Sequence, residues 1–310
     1  MKNPPLFSVV IATYNRAELL RNAIYSLCQQ TLDKNNYEVL IVDNNSTDNT
    51  PEIVDEFLGI DNVRYIRETN QGTSHARNRG WQEAKGEYVA YIDDDCKVPE
   101  EWLEVASRII QQKAPGIFGG PYYRFHNSPK PVWFKESYDA YMPYDTPQDN
   151  PELYLHGCNL IVQKKLLVEL GGFNPDLGPV GDIKNYGEDI AIIAVARAKK
   201  PDILVHYNPD LYLYHLVRAE DKHIPNRLRT AFKGGREFHT AVSLQNNLIT
   251  LTYDTIKHLF LLSVRSVFGI LLRKRSKYPY PQNYVYEVLL EHVFFLGSAY
   301  AGWKKLFQNL

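Results

Sequence analysis

Three adjacent carboxylates, Asp93-Asp94-Asp95, follow the apolar run Tyr91-Ile92 and form the densest negative charge in the sequence. Like charges this close repel unless a cation neutralises them. Hard oxygen ligands suit Mg²⁺ or Mn²⁺, held by one or two carboxylates with a substrate diphosphate completing the shell. A solvated acidic turn is the plain alternative. Glu188-Asp189 stands directly after Gly187 at the expected start of a helix. There a carboxylate is favoured by the helix dipole and caps it, or it serves as a general base that takes a proton from an attacking hydroxyl. Asp43 ends a second apolar run, where it is either a turn former in an Asx-rich loop or an acceptor for a nucleobase or ribose. Arg77 and Arg79 fall in Gly72-Thr73-Ser74-His75-Ala76-Arg77-Asn78-Arg79-Gly80, a Gly-opened turn entering a helix, where Arg and backbone amides recognise diphosphate. His215, in Tyr-Leu-Tyr-His-Leu, reads as a core histidine or a ligand.

The elements that must position these groups alternate. Strand-like runs at 6–12, 37–42, 63–66 and 87–92 are separated by helical patterns at 17–30, 51–58 and 74–85. Pro51 takes a first helical position and Gly86 closes the third helix. The order βαβαβαβ predicts an α/β fold with a mostly parallel central sheet and helices on both faces. Such sheets bind ligands beyond the carboxyl ends of their strands. Thr13-Tyr14-Asn15-Arg16, Asp43-Asn44-Asn45-Ser46, Arg67 onward to Arg77-Asn78, and Asp93-Asp94-Asp95 all lie at such ends and are expected to share one rim. Residues 121–155 are aromatic and aperiodic, a long irregular segment around an open site in which Trp133, Tyr138 and Tyr141 stack on sugar faces or merely pack. A short helix is expected at 164–170, another from Glu188 through Arg197, strands at 203–207 and 211–216, and helices from about 225.

With 310 residues, 44% hydrophobic and 23% charged, the chain buries a sizeable core, which excludes disorder, collagen and disulfide scaffolds. Three dispersed cysteines fit a reducing cytosol, and MKNPPLFSVV has no signal-peptide pattern, so a cytoplasmic location is expected. The net charge of −1 conceals a +8 balance over residues 216–310 against −9 before them. In that tail, apolar runs such as Val267-Phe268-Gly269-Ile270-Leu271-Leu272 are followed by Arg273-Lys274-Arg275-Ser276-Lys277. The pattern fits helices lying on an anionic membrane surface, such as the inner face of the cell membrane, or a helical subdomain with a solvated basic loop.

Phe7 to Arg16, Val42 to Asp48, Ala76 to Gly80, Tyr91 to Asp95, and Gly187-Glu188-Asp189 together resemble the ordered motif series of the inverting family 2 glycosyltransferases with the GT-A fold, over about residues 6–216. Gly157-Cys158-Asn159-Leu160 and Leu170-Gly171-Gly172-Phe173 resemble the stretch that precedes the family's Glu-Asp motif. The resemblance implies a Rossmann-like GT-A domain, with residues 1–120 as its nucleotide-sugar half and 121–220 as its acceptor and catalytic-base half, plus a helical region at 221–310. It implies that Thr13 and Asp43 bind the base, Arg77 the base or diphosphate side, and Asp93 the ribose, with Asn15, Arg16 and Asp94 completing the donor set. Asp95 and His215 would hold a divalent cation, Mn or Mg. Asp189 would be the catalytic base and Glu188 would hold a sugar hydroxyl or the acceptor. The family often carries a further Asp where Cys96 stands, which leaves Asp94 and Asp95 open as the main metal ligand. The implied partners are a nucleotide-diphosphate sugar, UDP-linked first, and a glycan or lipid-linked acceptor, with no nucleic acid. A sugar nucleotidyltransferase would be expected to carry a Gly-rich loop after the first strand, which Thr13-Tyr14-Asn15-Arg16 lacks. A silent binding protein on the same fold would not be expected to keep such costly clusters of like charge.

Overall fold

Nearly continuous apolar runs, buried on both faces of a sheet, build the centre of the molecule. The computed structural model describes residues 4–151, 155–181, 183, 185–242 and 248–308. β1 (Phe7–Thr13), α1 (Ala17–Cys28), β2 (Tyr37–Asp43), α2 (Thr50–Asp55), β3 (Val63–Arg67), α3 (Thr73–Glu83) and β4 (Tyr88–Asp93) follow in the expected order, with bounds within three residues of those read from the sequence. β1 lies between β2 and β4, and β2 pairs with β3, all in parallel. Phe7, Val9 and Ile11 of β1 join one buried cluster with Leu20, Ile24 and Leu27 of α1, while Val10 joins a second with Ala76 of α3. The same split divides Val39 and Ile41 from Leu40 and Val42 in β2, so helices cover both faces of the sheet. Each such aliphatic side chain contributes about 1.5–3 kcal/mol on burial.

The second half of the sheet is mixed. After β4 come β5 (Cys96–Lys97), α4 (Trp102–Lys113), β6 (Ile117–Gly119), β7 (Tyr122–His126), β8 (Ala140–Tyr141), β9 (Gln148–Asp149), β10 (Leu160–Gln163), α5 (Lys164–Leu170), α6 (Glu188–Lys199), β11 (Val205–Tyr207) and β12 (Leu213–Val217). β10 runs antiparallel between β4 and β6, and the eight strands order as β3-β2-β1-β4-β10-β6-β11-β9. A smaller sheet has the order β5-β12-β7-β8. α4 and β6 fill a stretch to which the sequence pattern assigned no element, with Trp102, Leu103, Ala106 and Ile109 as the buried side of α4. The segment expected to be irregular, 121–155, contains three short strands, and its residues 152–154 lie outside the described residues.

The chain divides into two compact units. The first comprises residues 1–125, 139–184 and 188–216, and the second residues 126–138, 185–187 and 217–310. The second unit is helical: α7 (Ile224–Ala241), α8 (Leu248–Val264) continued by a π-helical turn at Arg265–Gly269, and α9 (Pro281–Tyr284), which runs through a second π turn into α10 (Leu290–Gln308). Of the helix expected from 225 onward, residues 243–247 lie outside the described residues. Trp133 and Tyr138 belong to this unit and pack rather than line an open site: Tyr138 stacks on Tyr286 at 4.2 Å, Trp133 lies 6.0 Å from the same ring, and the Tyr138 hydroxyl donates to Glu287.

α7 and α10 meet at glycines. A Cβ at Gly235 would strike the carbonyl oxygen of Phe294, and one at Gly297 the carbonyl oxygen of Phe232. Backbone cannot yield as a flexible side-chain tip can, so the two helices approach only because neither position has a side chain. Gly297→Ala is expected to destabilise the helical unit by about 1–3 kcal/mol or more, measured by urea unfolding followed by far-ultraviolet circular dichroism.

Candidate active site

The carboxyl ends of β1, β2 and β4 place their polar loops side by side. Thr13 is the last residue of β1, and its hydroxyl donates to Asp94 Oδ2 at 2.9 Å. Arg16 reaches the same carboxylate, with Nη1 2.8 Å from Asp94 Oδ1, and lies 3.8 Å from Asp95. Asn15 adopts a left-handed backbone (φ 52°), which asparagine tolerates better than most residues. Its side-chain oxygen accepts from the amide of Thr47 and its own amide donates to Ser46 Oγ, which ties the loop after β1 to the loop after β2. Asp43 is buried. Its carboxylate accepts from the Ser46 amide at 2.9 Å and from the Tyr65 hydroxyl at 2.6 Å, so it forms the turn and is held rigidly at the strand end.

Asp93 and Asp95 turn the other way, toward His215 on β12. His215 Nε2 lies 3.6 Å from Asp93 Oδ2 and 3.5 Å from Asp95 Oδ1, and one donor atom from each of the three falls within 4.8 Å of the others. Burial opposes a charge on His215, yet the two carboxylates win and push it up to about 10. Burial would likewise raise Asp93, but His215 and Arg77 hold its carboxyl well below the usual range. Asp94 goes the other way: burial, with Asp95 adding to it, raises its carboxyl to about 6 against the pull of Arg16.

Arg77, on α3, is buried and spans two carboxylates, with Nη1 2.8 Å from Glu188 and Nη2 3.1 Å from Asp93. Its guanidinium also lies against the rings of Phe173 (5.6 Å) and Tyr91 (6.0 Å). Gly157 makes room for it, since a Cβ there would come within 2.9 Å of both terminal nitrogens. Arg77, expected at the base or diphosphate side of a donor, has both its ends engaged by protein carboxylates, whereas Arg16 on the rim keeps part of its side chain open. Glu188 is buried as well, and burial with help from Asp189 raises it to about 7 despite Arg77. Asp189, the second residue of α6, is half-buried, its two oxygens accepting from the amides of Gly157 (2.7 Å) and Ile190 (2.8 Å).

Two contributors escaped the sequence reading. Asn44 accepts from the Gly72 amide at 2.6 Å and donates to Asn70 O at 2.7 Å, fixing the turn that opens α3. His156 lies edge-on to Tyr141 (4.4 Å) and Tyr122 (5.3 Å), with its Nε2 buried. Burial keeps it below the usual histidine range against the pull of nearby Asp189. It also lines a cavity with Tyr141, Tyr144, Leu155 and Tyr207. Asn44 had a signal in its Asx-rich run. His156 had none, because only tertiary packing brings it to Asp189.

The sequence matches the family described as Glycosyl transferase family 2 over residues 8–171, which is more than half of the chain. The chain belongs to glycosyl transferase family 2. Members of this family invert the anomeric centre. Among its relatives, glycosyltransferase AglE of Haloferax volcanii is 31% identical over 183 residues, 58% of this chain and 59% of that protein. Glycosyltransferase GlyG of Streptococcus pneumoniae is 36% identical over 131 residues, 42% and 43% of the two chains. The chain thus spans about half the length of these relatives. Among solved structures, a mannosyltransferase of Pyrobaculum calidifontis in complex with GDP-Man and Mn²⁺ aligns with TM-score 0.67 at 18% identity, covering 97% of this chain and 88% of that one. S. aureus TarS 1–349 in complex with UDP-GlcNAc aligns with TM-score 0.56 at 19% identity, covering 98% and 92%. The fold is therefore GT-A, a mixed α/β domain with a C-terminal helical region. The family 2 match contains Thr13 through Asp95 but ends before Glu188, Asp189 and His215, so the place of those three rests on geometry.

Breaking a buried ion pair by deleting one partner typically costs about 3–5 kcal/mol, whereas an exposed helix-surface pair gives under about 1 kcal/mol. Arg77→Ala should therefore destabilise the GT-A unit by about 3–5 kcal/mol. Arg79→Ala, which removes only the exposed pair with Glu83, should stay within about 0.5 kcal/mol. Urea unfolding of the two variants side by side checks both.

Proposed function

We propose that this family 2 chain moves a sugar from a nucleotide-diphosphate donor, a UDP-sugar first, to a hydroxyl of a glycan or lipid-linked acceptor in polysaccharide or cell-envelope glycan synthesis. The observation that carries the reading is the convergence of Asp93, Asp95 and His215 at the carboxyl edge of the sheet, with Asp189 anchored beside Gly157. The complexes of relatives with UDP-GlcNAc and GDP-Man support a nucleotide sugar as donor.

Two carboxylates and one imidazole fit a divalent cation such as Mn²⁺ or Mg²⁺. Two carboxylates at such spacing repel by roughly 3–4 kcal/mol at an effective dielectric near 20, so the site calls for positive charge. Protonated His215 and Arg16 meet that demand in the metal-free protein. When bound, the cation supplies charge stabilisation to the diphosphate as it leaves.

The chain's own residues do the rest. Thr13 and Asp43 flank the base and ribose end of the rim, and Arg16 is placed to meet phosphate oxygens as charge develops there. Arg77 acts through Asp93 and Glu188 as a positioning residue. Asp189, its carboxylate aimed by two backbone amides, takes the proton from the acceptor hydroxyl as that oxygen attacks the anomeric carbon opposite the diphosphate. One displacement inverts the centre without a glycosyl-enzyme, in contrast to the nucleophilic carboxylate of retaining hydrolases. Asp189→Asn is expected to keep the thermal shift given by Mn²⁺ and the donor while lowering transfer about 10²–10⁴-fold. A panel of UDP-, GDP- and dTDP-sugars identifies that donor; if none shifts the transition, the donor reading fails.

The helical unit supports a lipid surface as partner, at the cytoplasmic face of a membrane. Ile249, Tyr253, Ile256, Phe260, Val267 and Leu271 are each more than half exposed and recur every three to four residues, except for the two-turn step from Phe260 to Val267. The basic run Arg273 to Lys277 follows, and Asp254 is the single acidic residue from Leu248 to Tyr286. A second copy of this face would bring the same positive charge, whereas anionic headgroups complement it at about 1 kcal/mol per basic residue. Among the described residues no helix is long and apolar enough to cross a membrane, so the contact is with the surface. The full chain should cosediment with vesicles containing phosphatidylserine and less with pure phosphatidylcholine, and Ile256→Asp/Phe260→Asp should release it. Equal recovery of both proteins in the supernatant would remove the lipid partner.

A further inference from the structure

His215 belongs to two triads of opposite chemical character. On one side it meets the oxygens of Asp93 and Asp95. On the other, one sulfur each from Cys96 and Cys158 and one ring nitrogen of His215 also lie within 4.8 Å of one another. The grouping is built by the fold. Cys96 on β5 is the register partner of His215 on β12, and directly paired residues of antiparallel strands share a face. Cys158 comes from the 3₁₀ turn at Gly157–Asn159 that leads into β10, and its sulfur lies within 4.8 Å of that of Cys96. Both sulfurs are buried, at 1% and 6% exposure, and neither is in a disulfide.

We propose that Cys96, Cys158 and His215 form a second, soft-metal site that takes Zn²⁺, and that filling it withdraws His215 from the Asp93–Asp95 pair. Zinc bonds sulfur at about 2.3 Å and imidazole nitrogen at about 2.0–2.1 Å, so tetrahedral donors stand roughly 3.4–3.8 Å apart. Side-chain adjustments of about an ångström close the present triad to that spacing. Thiolate and imidazole select zinc, while carboxylates suit Mg²⁺ and Mn²⁺, and at a shared nitrogen or sulfur ligand zinc binds more strongly than manganese. Each thiol and the protonated His215 ring give a proton to solvent on binding, and no electron moves. Three protein ligands leave one position for water, and His215, the member of the triad with a partly open side chain (27% exposed), gives the approach. Zinc at the sulfurs and a hard cation at the carboxylates then compete for one imidazole, which makes the soft metal an inhibitor of transfer. That consequence rests on the function proposed above; the binding does not.

The reduced chain of residues 1–310, stripped of metal, is titrated with Cd²⁺ as a spectroscopic probe. A thiolate-to-cadmium charge-transfer band saturating at one equivalent per chain is expected, lost in Cys96→Ser and in Cys158→Ser and kept in Cys28→Ser. No band, or one that survives Cys158→Ser, overturns the site. In Mn²⁺-supported transfer, Zn²⁺ should inhibit the unaltered chain at concentrations at least about tenfold lower than it inhibits Cys158→Ser. Equal inhibition of both means that zinc acts through the carboxylates alone and overturns the sharing of His215. A melting curve accompanies each variant, with Cys158→Ala standing in should the serine fail to fold. A full band in a chain that transfers no sugar under any condition leaves the site standing and removes only the proposed function.

Discussion

Four carboxylates, Asp93, Asp94, Asp95 and Glu188, crowd the carboxyl edge of the sheet, and three of them are largely buried. Buried like charges on this scale are tolerated only when cations are held among them, because each desolvated charge costs several kcal/mol before any attraction is counted. Arg16, Arg77 and His215 carry that burden, each from a different element. Arg77 reaches in from α3, Arg16 from the start of α1, and His215 from β12. The packing around them follows: Gly157 clears space for the guanidinium, the edge-to-face pair Phe173 and Tyr91 lies against it, and the pairing of β5 with β12 sets His215 against the acidic turn.

The two arginines illustrate how burial decides role. Arg77 is closed off and bridges two carboxylates, so it stiffens the site and is unavailable to a ligand without breaking pairs worth several kcal/mol. Arg16 has 37% of its side chain exposed and holds one carboxylate at close range, so it can turn to a phosphate at far smaller cost. Sequence spacing cannot separate these cases. Both arginines stand near strand ends or helix starts, and only the third dimension shows which one is walled in.

What the sequence displayed and what it hid divide along the same line. Short apolar, β-branched runs and the Gly and Pro punctuation made the first half of the sheet readable, since each element there is a local pattern repeated in chain order. The antiparallel insertion of β10, and the short strands β8 and β9, depend on partners far along the chain and leave little periodic trace in two to four residues. The candidate site was legible where residue types are costly to keep, at Asp93 to Asp95 and Glu188-Asp189. It was opaque at His156, at the bridging of Arg77, and at the meeting of Cys96 with Cys158, where ordinary residues acquire their character from neighbours.

The acidic triplet shows how chain geometry sorts residues of one type into separate tasks. Side chains of a strand alternate between its faces, and the run that leaves β4 carries that alternation one step into the turn. Asp93 and Asp95 therefore emerge together and meet His215, while Asp94, between them, faces the opposite way and accepts from Thr13 and Arg16. The outer pair shares the ring of His215. The middle carboxylate ties the end of β4 to the loop that leaves β1, and so fixes the separation of the two loops on this part of the rim. An apolar residue in the middle position would keep the outer pair's orientation but leave Thr13 without its acceptor and Arg16 without its nearest anchor, so the spacing of the rim and the charge within it are maintained by different members of a single three-residue turn.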